Sequence, residues 1–219
     1  MHWGDKDDPV FINYREAVSW LIGARLLEYG KNFKIATDPG GGGGMSNLLV
    51  IRNAKQHEER VHLNRKGSIH IFGSSDTRLW WPDDPAWADQ VGDAIAGQCE
   101  WTERQSKPRP AVSVARFIGR ALLQQGPGWL CLPASKSNFE RYPDAQKRLL
   151  VESQLKGNYS LQRFFFLCRE PSPGVRVQPW MAFDMAGYAW HVDQTAPAAQ
   201  PDDWPQCSKG LLSSLASLG

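Results

Sequence analysis

Glu58 to Gly73 reads Glu-Glu-Arg-Val-His-Leu-Asn-Arg-Lys-Gly-Ser-Ile-His-Ile-Phe-Gly, and no other stretch of the chain restricts the fold as tightly. Asn64-Arg65-Lys66-Gly67 has the residues of a type I turn followed by a glycine in the left-handed position, the three-residue hairpin loop with a bulge. That turn pairs Asn64 with Ser68 and, two steps out, His62 with His70. Strand alternation then puts Val61, Leu63, Ile69 and Ile71 on one face, and Arg60, His62, His70 and Phe72 on the other.

The elements before and after the hairpin follow from helical and strand periodicity. Asn13 to Tyr29 reads as a helix capped by Asn13, with Glu16 three residues on and Gly30 past its end. Its stripe of Ala17, Val18, Trp20, Leu21, Ala24 and Leu27 is core by default. Lys34–Thr37 is a short strand candidate, and Leu48–Ile51 followed by the hairpin gives three strands in succession, an antiparallel meander against the first helix. Between them, Asp38-Pro39 and five glycines lack the Gly-Lys-Ser/Thr closure of a phosphate-binding loop, so a flexible connection is expected. A helix from Pro85 to about Trp101 follows, with Asp84 as cap and Trp87, Val91, Ala94 and Ile95 inward.

Ala111 to Gln125 is the next helix, with Val114, Phe117, Ile118, Ala121 and Leu122 inward. Trp129–Leu132 is a short strand, and Ser137 to Lys156 carries a capping box and a helix. Leu161–Arg169, Val175–Phe183 and Tyr188–Val192 read as further strands. Leu211, Leu212, Leu215 and Leu218 mark a short tail helix. The fold class is therefore α+β, antiparallel sheet segments packed by about five helices. Three segments are expected within one body. Residues 1–103 hold a helix, the meander and an acidic Trp-rich helix; residues 104–195 form a basic helix and strand half; residues 196–219 are a linker and tail helix.

Charge is arranged in blocks. Residues 80–103 carry six acids and no Lys or Arg, whereas residues 104–163 carry eleven Lys/Arg against three acids. A basic block of that size is the electrostatic footprint of a phosphate-backbone partner. The expected contacts are Arg60, Arg65, Lys66 and Phe72 on the hairpin with Arg104, Lys107, Arg109, Arg116, Arg120, Lys147 and Arg148 beyond it. Cations beside a stackable ring compose a platform for RNA or single-stranded DNA. The leading functional expectation is thus a nucleic-acid-interacting protein, a subunit of a ribonucleoprotein or prokaryotic defence assembly.

Two alternatives come from other residues. His62 and His70, facing each other, have the neutral pKa that acid–base cleavage of RNA requires, which gives a metal-independent ribonuclease with those two as catalytic residues. As metal ligands they would need a third group, His57 or Asp76 being nearest in sequence. The second alternative is a protein-binding inhibitor or immunity-type module using Trp80, Trp81 and Trp101, since aromatic anchors dominate interfaces. Cys99, Cys131, Cys168 and Cys207 form no C-x-x-C pair, so neither a metal site nor a cofactor is expected. The first residues have no basic and apolar leader pattern, and no apolar run reaches membrane-spanning length. A cytoplasmic protein with reduced thiols is expected.

Overall fold

The computed structural model describes residues 8–31, 33–38, 46–52, 57–64, 67–72, 79–81, 84, 86–107, 109–133, 164–170, 172, 174–175, 177–192 and 197–218. Among these are four helices and eight strands in two four-stranded antiparallel sheets, an α+β fold. The helix expected within 137–156 lies outside the described residues. The chain divides into two compact units, Met1–Leu123 and Gln124–Gly219.

In the first unit, α1 (Pro9–Leu27) precedes β1 (Phe33–Asp38), β2 (Ser46–Arg52), β3 (His57–Leu63) and β4 (Ile69–Ile71), which pair in sequence order. Helices α2 (Trp87–Gln98) and α3 (Pro110–Gln125) follow. The cap of α1 is Asp8, whose side chain accepts from the Val10 amide at 2.8 Å, and not Asn13. Pro9 at the first helical position adds a turn and a half upstream, because its ring presets the helical φ and its missing N–H costs no hydrogen bond. Asn13 is instead buried inside the helix, donating to the Leu122 carbonyl at 3.2 Å.

Helix α1 is enclosed on most sides, which explains why its apolar residues exceed one stripe. Phe11, Tyr14, Val18, Ile22 and Leu26 join Val61, Leu63, Ile69 and Ile71 of the sheet and Trp87, Val91 and Ile95 of α2 in one core. Each fully buried aliphatic side chain there contributes on the order of 2 kcal/mol. On another side Ala24 meets Val112 and Ala115 of α3, flanked by Trp20 and Leu27. The five α3 residues expected to face inward are all buried.

The hairpin has the expected register, with Val61 opposite Ile71, His62 opposite His70 and Leu63 opposite Ile69. The Gly67 amide donates to the Asn64 carbonyl at 2.8 Å and the Asn64 amide to the Ser68 carbonyl at 2.9 Å. Gly67 has φ 91°, the left-handed conformation that a side chain would resist. Tyr14 Oη donates to the Gly67 carbonyl at 2.7 Å, so α1 holds the turn directly. Beyond β4 the chain returns beside Ile69, which pairs with Trp80.

In the second unit β5 (Trp129–Pro133), β6 (Phe164–Arg169), β7 (Gln178–Asp184) and β8 (Ala189–His191) form a meander in sequence order. A register irregularity between Leu167 and Cys168 leaves Trp180 as the extra residue of β7. Its ring lies edge-on to Trp129 at 6.1 Å and to His191 at 5.0 Å. Helix α4 (Trp204–Ala216) begins inside the stretch expected to be a linker. Trp204 is the reason: it is buried, its Nε1 donates to the Gly187 carbonyl at 2.7 Å, and its ring packs on Phe183. Leu211 and Leu215 continue that buried face, while Leu218 is exposed.

Two helical glycines test this packing. A Cβ on Gly119 would lie 2.6 Å from Leu21 Cγ and 3.1 Å from the Ala17 carbonyl oxygen, whereas one on Gly97 would meet nothing within 4 Å. Alanine gains roughly 1 kcal/mol of helix propensity at either place, against roughly 1–3 kcal/mol of overpacking at Gly119. Gly97→Ala is therefore expected to raise the urea midpoint and Gly119→Ala to lower it. Equal stabilisation by both would show that α1 and α3 do not approach this closely.

Candidate functional site

The residues expected to contact a phosphate backbone separate into two groups in the first unit. Arg60, His62, His70 and Phe72 share the face of the β3–β4 hairpin turned away from the α1 core. Arg60 and Phe72 are exposed, the latter at 58%, and the two histidines are half-buried. The hairpin's remaining cations, Arg65 and Lys66, lie outside the described residues, as do Lys147 and Arg148.

The second group, Arg104, Lys107, Arg109, Arg116 and Arg120, follows α2, and two of its members, Arg104 and Arg116, meet a carboxylate cluster at the C-terminal end of α1. Arg25, only 8% exposed, grips Asp93 of α2 through Nε and Nη2, each at 2.7 Å, and reaches Glu28 at 2.7 Å with Nη1. Tyr29 Oη also donates to Asp93, at 2.7 Å. Burial would raise the Asp93 carboxyl, but the hydrogen bonds from Arg25 and Tyr29 outweigh it and hold the group below the ordinary carboxylate range. Arg116 of α3 donates to Glu28 and to Asp89, the latter at 3.3 Å, and Arg104 lies 3.7 Å from Glu28.

Among the described residues one pair thus joins the acidic and basic blocks of the sequence, Arg116 with Asp89. Arg116, expected to hold a phosphate together with Arg120, already has two carboxylate partners. Arg120, Lys107 and Arg109 are exposed, with Arg109 Nη2 3.5 Å from the Gly30 carbonyl. Arg25 and Glu28 are buried, so their pairs exchange partners at greater cost than surface ones, and through them the cluster links α1 to α2 and α3.

The tryptophans also separate. Trp80 is 3% exposed and Trp87 is buried in the core. Trp101 is half-buried against Tyr29 and Phe33, with ring centroids 6.3 Å from each. Of the three tryptophans expected to anchor a protein partner, Trp81 is the exposed one, at 44%. Because Trp80 points inward beside Ile69, its neighbours Leu79 and Trp81 point outward, Leu79 at 52% exposure. They join the face that bears His70 and Phe72. The sequence analysis missed Leu79, and the one available signal was the alternation Leu79-Trp80-Trp81 after the hairpin.

Phe72, Leu79 and Trp81 are thus three of the four large apolar side chains exposed among the described residues of this unit, Ile12 of α1 being the fourth. His62 sits against Phe72 with centroids 5.1 Å apart and against His70 at 6.1 Å. Burial, then the charges of His70 and Arg60, push the His62 imidazole below the ordinary histidine range. No group of three or more His, Cys, Asp or Glu side chains is gathered as a metal site among the described residues. No described helix is long and apolar enough to cross a membrane.

A family model described as T3SS (YopN, CesT) and YbjN peptide-binding chaperone 2 matches residues 17–212, and the chain belongs to that family. Neither the curated proteins nor the solved structures give a match. The family overturns the nucleic-acid and ribonuclease expectations, together with the ribonucleoprotein assembly they implied. For Arg104 and Arg116 the ion pairs give a physical reason the charge pattern misled: a cation counted along the sequence is not free when a carboxylate from another element faces it. The protein-binding alternative is the one that agrees with the family.

A titration of the histidine side chains by NMR checks the outer face. His62 is expected to titrate below the ordinary value of about 6.5. His70→Gln should move it part of the way back, because burial persists when the neighbouring charge is gone. A depressed folded pKa gives stability that is full above the unfolded value and lost as pH falls through the folded one. Stability should therefore decline on acidification across that window, and less so in His62→Gln.

Proposed function

We propose that this member of a peptide-binding chaperone family binds peptide segments of partner proteins on the outer face of its first sheet. The observation that carries the reading is the exposure of Phe72, Leu79 and Trp81, each about half exposed, on the side of the sheet that alternation turns away from the α1 core. Single exposed apolar residues are ordinary on any protein surface, whereas a contiguous set rimmed by polar groups marks an interaction site. Arg60, opposite Phe72 at the strand end, supplies a polar rim; it is exposed, and its carbonyl accepts from the Phe72 amide at 2.8 Å.

A rigid platform suits this task. The hairpin is fixed by its bulged turn and by the Tyr14 hydrogen bond, so little conformational entropy is lost on binding. An extended segment with apolar side chains on one side can lay them on Phe72, Leu79 and Trp81 while its backbone stays hydrated on the other. Of the three tryptophans considered for a partner, this reading uses Trp81. Trp80 and Trp101 act from behind, as core. The cytoplasmic setting goes with this reading, supported by Cys99, Cys131 and Cys168, which are buried free thiols.

The test is fluorescence anisotropy with labelled peptides of alternating apolar and polar residues. Phe72→Ala and Trp81→Ala are each expected to weaken binding by about tenfold, the effect of losing one interface anchor of roughly 1–2 kcal/mol. Both side chains are exposed, so the melting temperature should stay within about 2 °C. Undiminished affinity in both variants would move the peptide site elsewhere.

A further inference from the structure

We infer that His62 and His70 form a binding site for a divalent transition-metal ion of the zinc, nickel and copper class, with water completing the coordination. The site follows from the hairpin and stands apart from the peptide-binding reading. The two residues are direct cross-strand partners on one face of β3 and β4, and their imidazole centroids are 6.1 Å apart. A metal about 2.0–2.1 Å from one nitrogen of each ring holds two imidazole centroids roughly 5–6 Å apart. Rotation about the side-chain bonds closes the small difference without moving the backbone.

Three further features favour the ion. Imidazole nitrogens suit zinc, copper and nickel, and the ligand must be the neutral base. Burial and the neighbouring charges already favour neutral His62 near physiological pH. The two strands are also held before the metal arrives. Backbone hydrogen bonds flank the pair on both sides, Asn64 N to Ser68 O at 2.9 Å and Phe72 N to Arg60 O at 2.8 Å, and Tyr14 fastens the turn. Two ligands on one rigid hairpin act as a chelate, so the second nitrogen binds intramolecularly at high effective concentration. The charge of Arg60 opposes any cation here, and two nitrogen donors select ions that bind imidazole strongly over calcium and magnesium, which take oxygen ligands.

The experiment is a titration of the full chain with zinc or nickel chloride at pH 7.5, followed by calorimetry and by the NMR signals of the histidine rings. One equivalent is expected to bind, with the His62 and His70 signals moving together. His62→Ala and His70→Ala should each weaken that step by about tenfold or more, since either leaves a single imidazole in place of a chelate. His191→Ala, in the second unit, should leave it unchanged. Lowering the pH to 5 should abolish the step as protons compete for the nitrogens. If the wild type binds no metal at millimolar concentration, or if both hairpin variants bind as the wild type does, the site does not exist. Circular dichroism of the variants separates that outcome from a lost fold. Peptide affinity, read through Phe72→Ala and Trp81→Ala, is a separate measurement and can fail or hold by itself.

Discussion

The burial of α1 is the constraint on which the first unit depends. A helix covered by a sheet, by α2 and by α3 must be apolar over most of its circumference, and it must let its neighbours come close. Leu21 and Ala17 come near enough to α3 that Gly119 has no room for a side chain, and Arg25 does the same to Gly92 of α2. Enclosure also fixes what the sheet can do. One of its faces is used up against Phe11, Val18 and Ile22, so polar and apolar residues on the other face are left for solvent or for a partner.

The same enclosure explains the ion cluster. Arg25 lies within a helix that is otherwise core, and a guanidinium 8% exposed requires carboxylates at hydrogen-bond distance. Asp93 and Glu28 meet that need, and Glu28 in turn draws Arg116 from α3 and approaches Arg104. Arg25 and Glu28 are the buried members, at 10% and 12% side-chain exposure, so truncating one would leave the other buried and short of a partner. The pattern ties the C-terminal end of α1 to the middle of α2 and of α3, and it gives Arg116 carboxylate partners within the unit.

What the sequence made legible was local. The bulged turn at Asn64–Gly67 sets the register of His62 and His70 from residue types alone, and the inward face of α3 follows from its 3.6-residue period. Elements joined by such short-range rules were found where expected. The fate of Trp80, Trp81 and Trp101 was not legible, because it depends on a pairing across the chain. Once Ile69 takes Trp80 as its partner, parity alone turns Trp81 and Leu79 outward, but no local signal announces that pairing. The start of α4 was hidden in the same way: Trp204 and Pro205 sit in an Ala/Pro/Asp-rich stretch, and only the Gly187 carbonyl and the Phe183 ring make them the beginning of a helix. Charge was the least legible of all, since counting Lys and Arg along a segment says nothing of Glu28, Asp89 and Asp93 facing them.

The outer face owes its character to the contrast between neutral and charged imidazole. A peptide that covers this face must strip water from His62 and His70 as well as from Phe72, Leu79 and Trp81. Stripping water from an imidazolium costs several times more than from the neutral ring. By sitting against Phe72 and beside a second histidine and Arg60, His62 is held toward its neutral form before anything binds. On the proposed reading such a face suits an apolar segment while His62 is neutral, and a proton gained by His62 on acidification works against that contact. A metal ion on the two imidazoles would act in the same direction as a proton, placing charge where an apolar side chain would otherwise rest. Both consequences come from one structural fact: a bulged turn that sets two histidines opposite each other on the face that α1 leaves open.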